Sequence, residues 1–112
     1  MNRSFGLAIF GLIATLGLPA IAIAEEPVLQ LRFDNHHFTP QTLTVPAGKP
    51  FAIKVVNASN ETIEFESFKL NREKPIPPGE TITVHLRGLG PGSYDFYDDF
   101  HQDVPEGVIV AK

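Results

Sequence analysis

The chain has 112 residues, with 9 basic and 13 acidic side chains, a formal net charge of −4 and no cysteine. An acidic chain repels phosphate, which argues against nucleic acid as a partner, and it attracts cations by the same field. Without a thiol there is no disulfide, thiolate ligand or cysteine nucleophile, and no serine, histidine and acid set with a nucleophile-elbow glycine pattern points to hydrolase chemistry.

Met1 to Ala24 carries Arg3, then an apolar stretch from Phe5 to Ile23 broken by Gly17 and Pro19, and ends in the small-residue pattern Ala22-Ile23-Ala24 before Glu25-Glu26. Residues 1–24 are expected to be a secretory signal peptide, with the periplasm as destination. The apolar stretch approaches the roughly 20 residues that span a bilayer, so an uncleaved anchor is the alternative. Residues 25–112 then form a single small domain with room for one modest core. Losing Arg3 lowers the basic count from 9 to 8 against 13 acidic side chains, so this domain is more acidic than the whole chain.

The rest of the chain divides into short extended runs. Val28–Phe33, Gln41–Val45, Phe51–Val56, Thr62–Glu66, Thr81–Leu86, Tyr94–Tyr97 and Gly107–Ala111 alternate or run apolar as strands do. Between them lie Pro46-Ala47-Gly48, Asn57-Ala58-Ser59-Asn60, Pro77-Pro78-Gly79 and Gly90-Pro91-Gly92, each a turn signal. Phe68 to Pro75 has room for a turn of helix, which Pro75, Pro77 and Pro78 would stop. About seven short strands at close spacing predict an all-β sandwich. Phe33, Phe51, Phe65, Tyr94 and Phe96 are its expected core aromatics.

The densest chemistry follows Tyr94. Asp98, Asp99 and His101 crowd the end of the strand, and Asp103 and Glu106 follow within five positions. The order Phe38-Thr39-Pro40, Thr44-Val45-Pro46-Ala47-Gly48, Val55-Val56-Asn57, Pro78-Gly79-Glu80 and Leu89-Gly90-Pro91-Gly92-Ser93-Tyr94 through His101 resembles the cupredoxins, small secreted Greek-key sandwiches that bind copper. The resemblance implies a cupredoxin-like fold over nearly all of residues 25–112. In electron-transfer cupredoxins the last loop supplies a cysteine, a histidine three residues on and usually a methionine. The matching positions here hold Asp98, His101 and roughly Glu106, and the family's other histidine is missing from Asn57 to Phe65. A blue copper centre needs thiolate and a soft axial sulfur, whereas carboxylates and imidazole suit Fe(II), Fe(III), Cu(II), Mn(II) or Zn(II).

A narrower resemblance rests on Ile63-Glu64-Phe65-Glu66-Ser67, Arg72-Glu73-Lys74, Pro78-Gly79 and Asp98-Asp99-Phe100-His101. These are similar to the cupredoxin-like periplasmic component of bacterial high-affinity ferrous-iron uptake systems, including the EfeO-type domain. That likeness implies a periplasmic protein that binds an iron or copper ion without a cysteine ligand. Its implied role is in ferrous-iron import, with ferroxidase-like assistance as an open possibility, and its implied partners are an iron permease and other components of the uptake system.

Residues two apart on a strand share a face, so Glu64 and Glu66 point away from Ile63 and Phe65 and meet the Asp98–His101 loop if the strands are neighbours. The expected site is Glu64, Glu66, Asp98, Asp99 and His101, with Glu106, Asp103 and His37 as outer candidates. Tyr97, opposite in phase to Phe96, has a hydroxyl within reach of a metal shell or a redox partner. The plain alternative makes Glu64 and Glu66 a solvated face and Asp98-Asp99 a turn former. A copper carrier, a metal-free docking module and a homodimer formed on metal binding remain open.

Overall fold

The computed structural model describes Gly6, residues 11–14, 16–18 and 26–112. Most of the expected signal peptide lies outside the described residues. No helix among the described residues is long and apolar enough to cross a membrane.

Among the described residues nine strands follow in chain order: β1 (Val28–Asp34), β2 (His37–Thr39), β3 (Thr42–Val45), β4 (Phe51–Asn57), β5 (Ile63–Ser67), β6 (Arg72–Ile76), β7 (Thr81–Leu86), β8 (Gly92–Asp98) and β9 (Gly107–Ala111). They form a four-stranded sheet in the order β2-β1-β4-β7 and a five-stranded sheet in the order β3-β9-β8-β5-β6. Both sheets are mixed, since β1 pairs with β4 and β3 with β9 in parallel.

The expected all-β sandwich is present, with nine strands among the described residues where the sequence suggested about seven. β2 is a three-residue strand, too short for alternation to register, and it pairs with β1 across a tight turn in which Asn35 and His36 both have positive φ, 50° and 58°. Two such residues in succession give a turn whose twist matches that of the flanking strands. β6 replaces the expected turn of helix. It is the outer strand of its sheet, where Pro75 removes no ladder bond from a further neighbour.

The alternating residues of both sheets meet in one core. Phe33, Phe51, Phe65 and Phe96 are buried as expected, together with Leu31, Ile53, Val55, Ile63, Ile76 and Ile109. Full burial of each such side chain contributes about 1.5–3 kcal/mol. Tyr94 packs against this cluster and donates its hydroxyl to the Gly90 carbonyl at 2.8 Å. Gly107 lies opposite Phe96, whose ring occupies the space that a Cβ would need.

Two parts of this framework position the acidic residues. The register Phe65↔Asp98 and Glu66↔Tyr97 sets β8 beside β5, and Glu66↔Glu73 sets β6 on its other side. Asn57, fully buried at the end of β4, ties down the loop into β5. Its Nδ2 donates to the carbonyls of Glu61, Ile76 and Pro77, and its Oδ1 accepts from the backbone N–H and hydroxyl of Ser59.

Candidate metal centre

Alternation places Ile63, Phe65 and Ser67 inward and Glu64 and Glu66 on the outer face of β5. That face is not the solvated surface of the plain reading. Glu64 is only 4% exposed and Glu66 is half-buried, because both sit mid-sheet between β6 and β8 with the start of the β8–β9 loop beside them. The Asp99 N–H donates to the Glu64 carbonyl at 3.3 Å, which fixes that loop to β5.

One carboxylate oxygen from each of Glu64, Glu66 and Asp99 lies within 4.8 Å of the other two. Oxygen ligands of a hard cation stand about 2.0–2.6 Å from it, so one small ion reaches all three with little adjustment. The trio grades from buried Glu64 through half-buried Glu66 to exposed Asp99, which leaves a way in from solvent.

The electrostatics of the trio are unfavourable without a cation. Glu64 Oε1 and Glu66 Oε2 are buried with no hydrogen-bond partner. Glu73 stands directly across from Glu66 on β6, and like charges so paired destabilise a sheet. The basic residues of β6 give no relief: Arg72 and Lys74 fall on the opposite face by alternation, and Arg72 spends its guanidinium on the carbonyls of Leu70, Asn71 and His85. Among the described residues no Lys, Arg or His forms an ion pair with Glu64, Glu66, Glu73 or Asp99. Burial first, then proton sharing with Glu66 and Glu73 and repulsion from their charges, pushes the Glu64 carboxyl up from 4.5 to about 7. Either a proton or a metal ion has to offset this charge.

Tyr97 belongs to the same neighbourhood. Its phenol is held above the ordinary tyrosine value by desolvation, then by the charges of Glu66, Asp99 and Glu106, and last by a hydrogen bond with Glu66. It lines an open cleft of about 230 Å³ with Asp99, Gln102, Val104 and Glu106.

The structure divides the expected ligand set. Asp98 points inward on β8 and is 1% exposed. Its Oδ1 accepts the backbone N–H of Glu64 at 2.9 Å and of Phe100 at 3.0 Å, and its Oδ2 lies 2.7 Å from His101 Nδ1. Asp98 is therefore a bracket for the loop, which is the turn-forming role of the plain reading. His101 Nε2 lies 3.0 Å from Glu61, so both imidazole nitrogens already face carboxylates. The hydrogen bond to Asp98 dominates in raising the His101 pKa; burial opposes it, and the charges of Asp98, Glu61 and Asp103 add to it.

Glu106 shares the Tyr97 cleft and lies outside the trio, Asp103 is exposed in the loop, and His37 is exposed on β2 with Nδ1 2.8 Å from the Asn35 carbonyl. His36 rather than His37 approaches His101, with ring centroids 6.3 Å apart. Sequence reasoning passed over Glu73, the fourth acid of the face. Pairing of the Arg72–Lys74 run with Glu64–Ser67 was the signal that would have found it.

Residues 6–111 match the cupredoxin-like domain. The chain belongs to this cupredoxin-like family. It is 37% identical over 84 residues to an uncharacterised protein of Rickettsia prowazekii, across 75% of this chain and 67% of that protein. It is 37% identical over 90 residues to the iron uptake system component EfeO of Yersinia pseudotuberculosis, across 73% of this chain and 24% of that protein. The cupredoxin-like chain thus spans about a quarter of the length of EfeO. Its fold resembles that of reduced auracyanin from Roseiflexus castenholzii, with a TM-score of 0.65 at 14% identity over 78% of this chain and 98% of that one.

A thiolate copper centre does not fit the cupredoxin-like chain. Asp98, at the position matched to the family cysteine, is consumed by two backbone donors and an imidazole, and the only sulfur is that of Met1.

Proposed function

We propose that this cupredoxin-like protein binds iron in the periplasm and serves its import, handing the metal to a membrane permease. The observation that carries the reading is the uncompensated carboxylate trio of Glu64, Glu66 and Asp99, with two buried oxygens lacking partners. The relationship to an iron uptake component supports iron over other hard cations. Three anionic oxygens gain more from a trivalent than from a divalent ion, so iron held here is easier to oxidise than iron in water. Asp99 is the exposed member at which an ion enters and leaves, and Glu64 is the member that gives up a proton when the ion arrives.

A copper-carrier reading draws on the nearness of His36 to His101. It is the weaker one, because His101 already has a carboxylate at each nitrogen.

Anaerobic calorimetric titration of residues 25–112 with Fe(II), Mn(II), Zn(II) and Cu(II) tests the proposal. The expected result is Fe(II) binding that Glu66→Gln with Asp99→Asn abolishes and His101→Ala preserves. Absence of Fe(II) binding, or binding untouched by the double variant, overturns it.

A further inference from the structure

The trio supplies three anionic oxygens on one side of an ion, and Tyr97 is the residue best placed to add a fourth of a different kind. Tyr97 is the β8 residue in register with Glu66, on the same outer face, so its ring stands beside that carboxylate. It also lines the cleft into which Asp99 opens. The side chain is half-buried, and its hydroxyl interacts with the Glu66 carboxylate, in contrast to Tyr94, whose hydroxyl is tied to Gly90. A phenol oxygen beside the ligand carboxylates is a group that discriminates between oxidation states. A neutral phenol is a poor ligand, and a divalent ion at neutral pH is too weak an acid to displace its proton. Fe(III) is a strong enough Lewis acid to do so.

We propose that Tyr97 is an oxidation-state-specific ligand of this site, joining Glu64, Glu66 and Asp99 on Fe(III) and standing aside for divalent ions. The step forms an iron–oxygen bond and breaks the phenol O–H bond, and the proton leaves to solvent through the open cleft. No electron moves, because iron enters the step already ferric. The outcome would be preferential retention of ferric over ferrous iron, with Tyr97 as the selecting residue. The inference rests on the iron reading above.

Phenolate bound to Fe(III) produces a ligand-to-metal charge-transfer band in the visible, which carboxylates alone do not, so the test has a direct optical readout. Residues 25–112 would be loaded with Fe(III) from ferric nitrilotriacetate and, separately, titrated with Mn(II) and Zn(II). Expected is a visible band in the wild type that Tyr97→Phe loses, together with an Fe(III) affinity at least about tenfold lower in the variant, equivalent to one strong ligand contact. Affinity for Mn(II) and Zn(II) should stay within about twofold, which also shows that the variant is folded.

Fe(III) that binds through the trio without a visible band, or a band that survives in Tyr97→Phe, overturns the role of Tyr97 and leaves the carboxylate site standing. Equal loss of Mn(II), Zn(II) and Fe(III) affinity in Tyr97→Phe also overturns it, by making the residue structural. Failure of every ion to bind, or binding that Glu66→Gln with Asp99→Asn leaves intact, brings down the underlying iron reading and this inference with it.

Discussion

Replacing Asp98 with alanine should be among the most damaging single changes in the domain, for reasons unrelated to metal. The substitution strands two main-chain donors, the N–H groups of Glu64 and Phe100, and removes the anion beside His101. The carboxylate is 1% exposed, so water cannot take its place without opening the loop. A stranded buried donor costs about 1–3 kcal/mol, so two put the loss near 4 kcal/mol, on the order of 20 °C in Tm for a domain of this size. Asparagine at the same position keeps Oδ1 as the acceptor for both N–H groups and gives up only the charge facing the imidazole, about 1 kcal/mol. Urea titrations and thermal melts of the metal-free protein at neutral pH compare the two. The reasoning is refuted if Asp98→Ala loses less than about 1 kcal/mol, or if asparagine is as damaging as alanine.

The Asp98→Asn protein should also show a His101 pKa lower than the wild type by proton-detected NMR titration, since the hydrogen bond to Asp98 is the main reason it is raised. The raised His101 value means that its contribution to stability is full below its unfolded value of 6.5 and fades as pH climbs through the folded value. Glu64 acts with the same sign in a lower window: the folded carboxyl holds its proton up to about 7, so the metal-free protein loses stability as pH rises from 4.5 to about 7, and Glu64→Gln should flatten that slope in pH-dependent melts. Asn57→Ala, which removes five hydrogen bonds around the β4–β5 loop, should cost about 3 kcal/mol by urea denaturation. Gly107→Ala forces a methyl group into the Phe96 ring and should lower the Tm by several degrees, at about 1–3 kcal/mol for overpacking.

Most strands that build the core were legible because their residues alternate between apolar and polar or run apolar, and Phe33, Phe65 and Phe96 fell inside as expected. β2 and β6 were not, since one is three residues long and the other carries Arg, Glu, Lys and Pro on a strand with a free edge. The convergence of Glu64, Glu66 and the Asp98–His101 segment was readable from the same period together with the family order of strands. The split between Asp98 and Asp99 was harder to see. Neighbouring residues at a strand end leave on opposite faces, so one aspartate turns in to bind the backbone while the next turns out to the trio, and the sequence alone does not say which. The burial of Glu64 was illegible for a related reason: alternation assigns a face to a side chain but says nothing about what lies over it.

β9 lies between β3 and β8, and its pairing with β3 joins residues near opposite ends of the domain. The last strand of the domain is thus an interior strand of its sheet. Until it docks, β3 and β8 each present an open edge of unpaired backbone groups, the arrangement most prone to pairing with another chain. Closing so long a loop is slow in folding terms. Losing even the few residues of β9 would therefore not trim the protein but leave two sticky edges. Crowding of the chain with its own copies before β9 docks should therefore promote pairing through those edges.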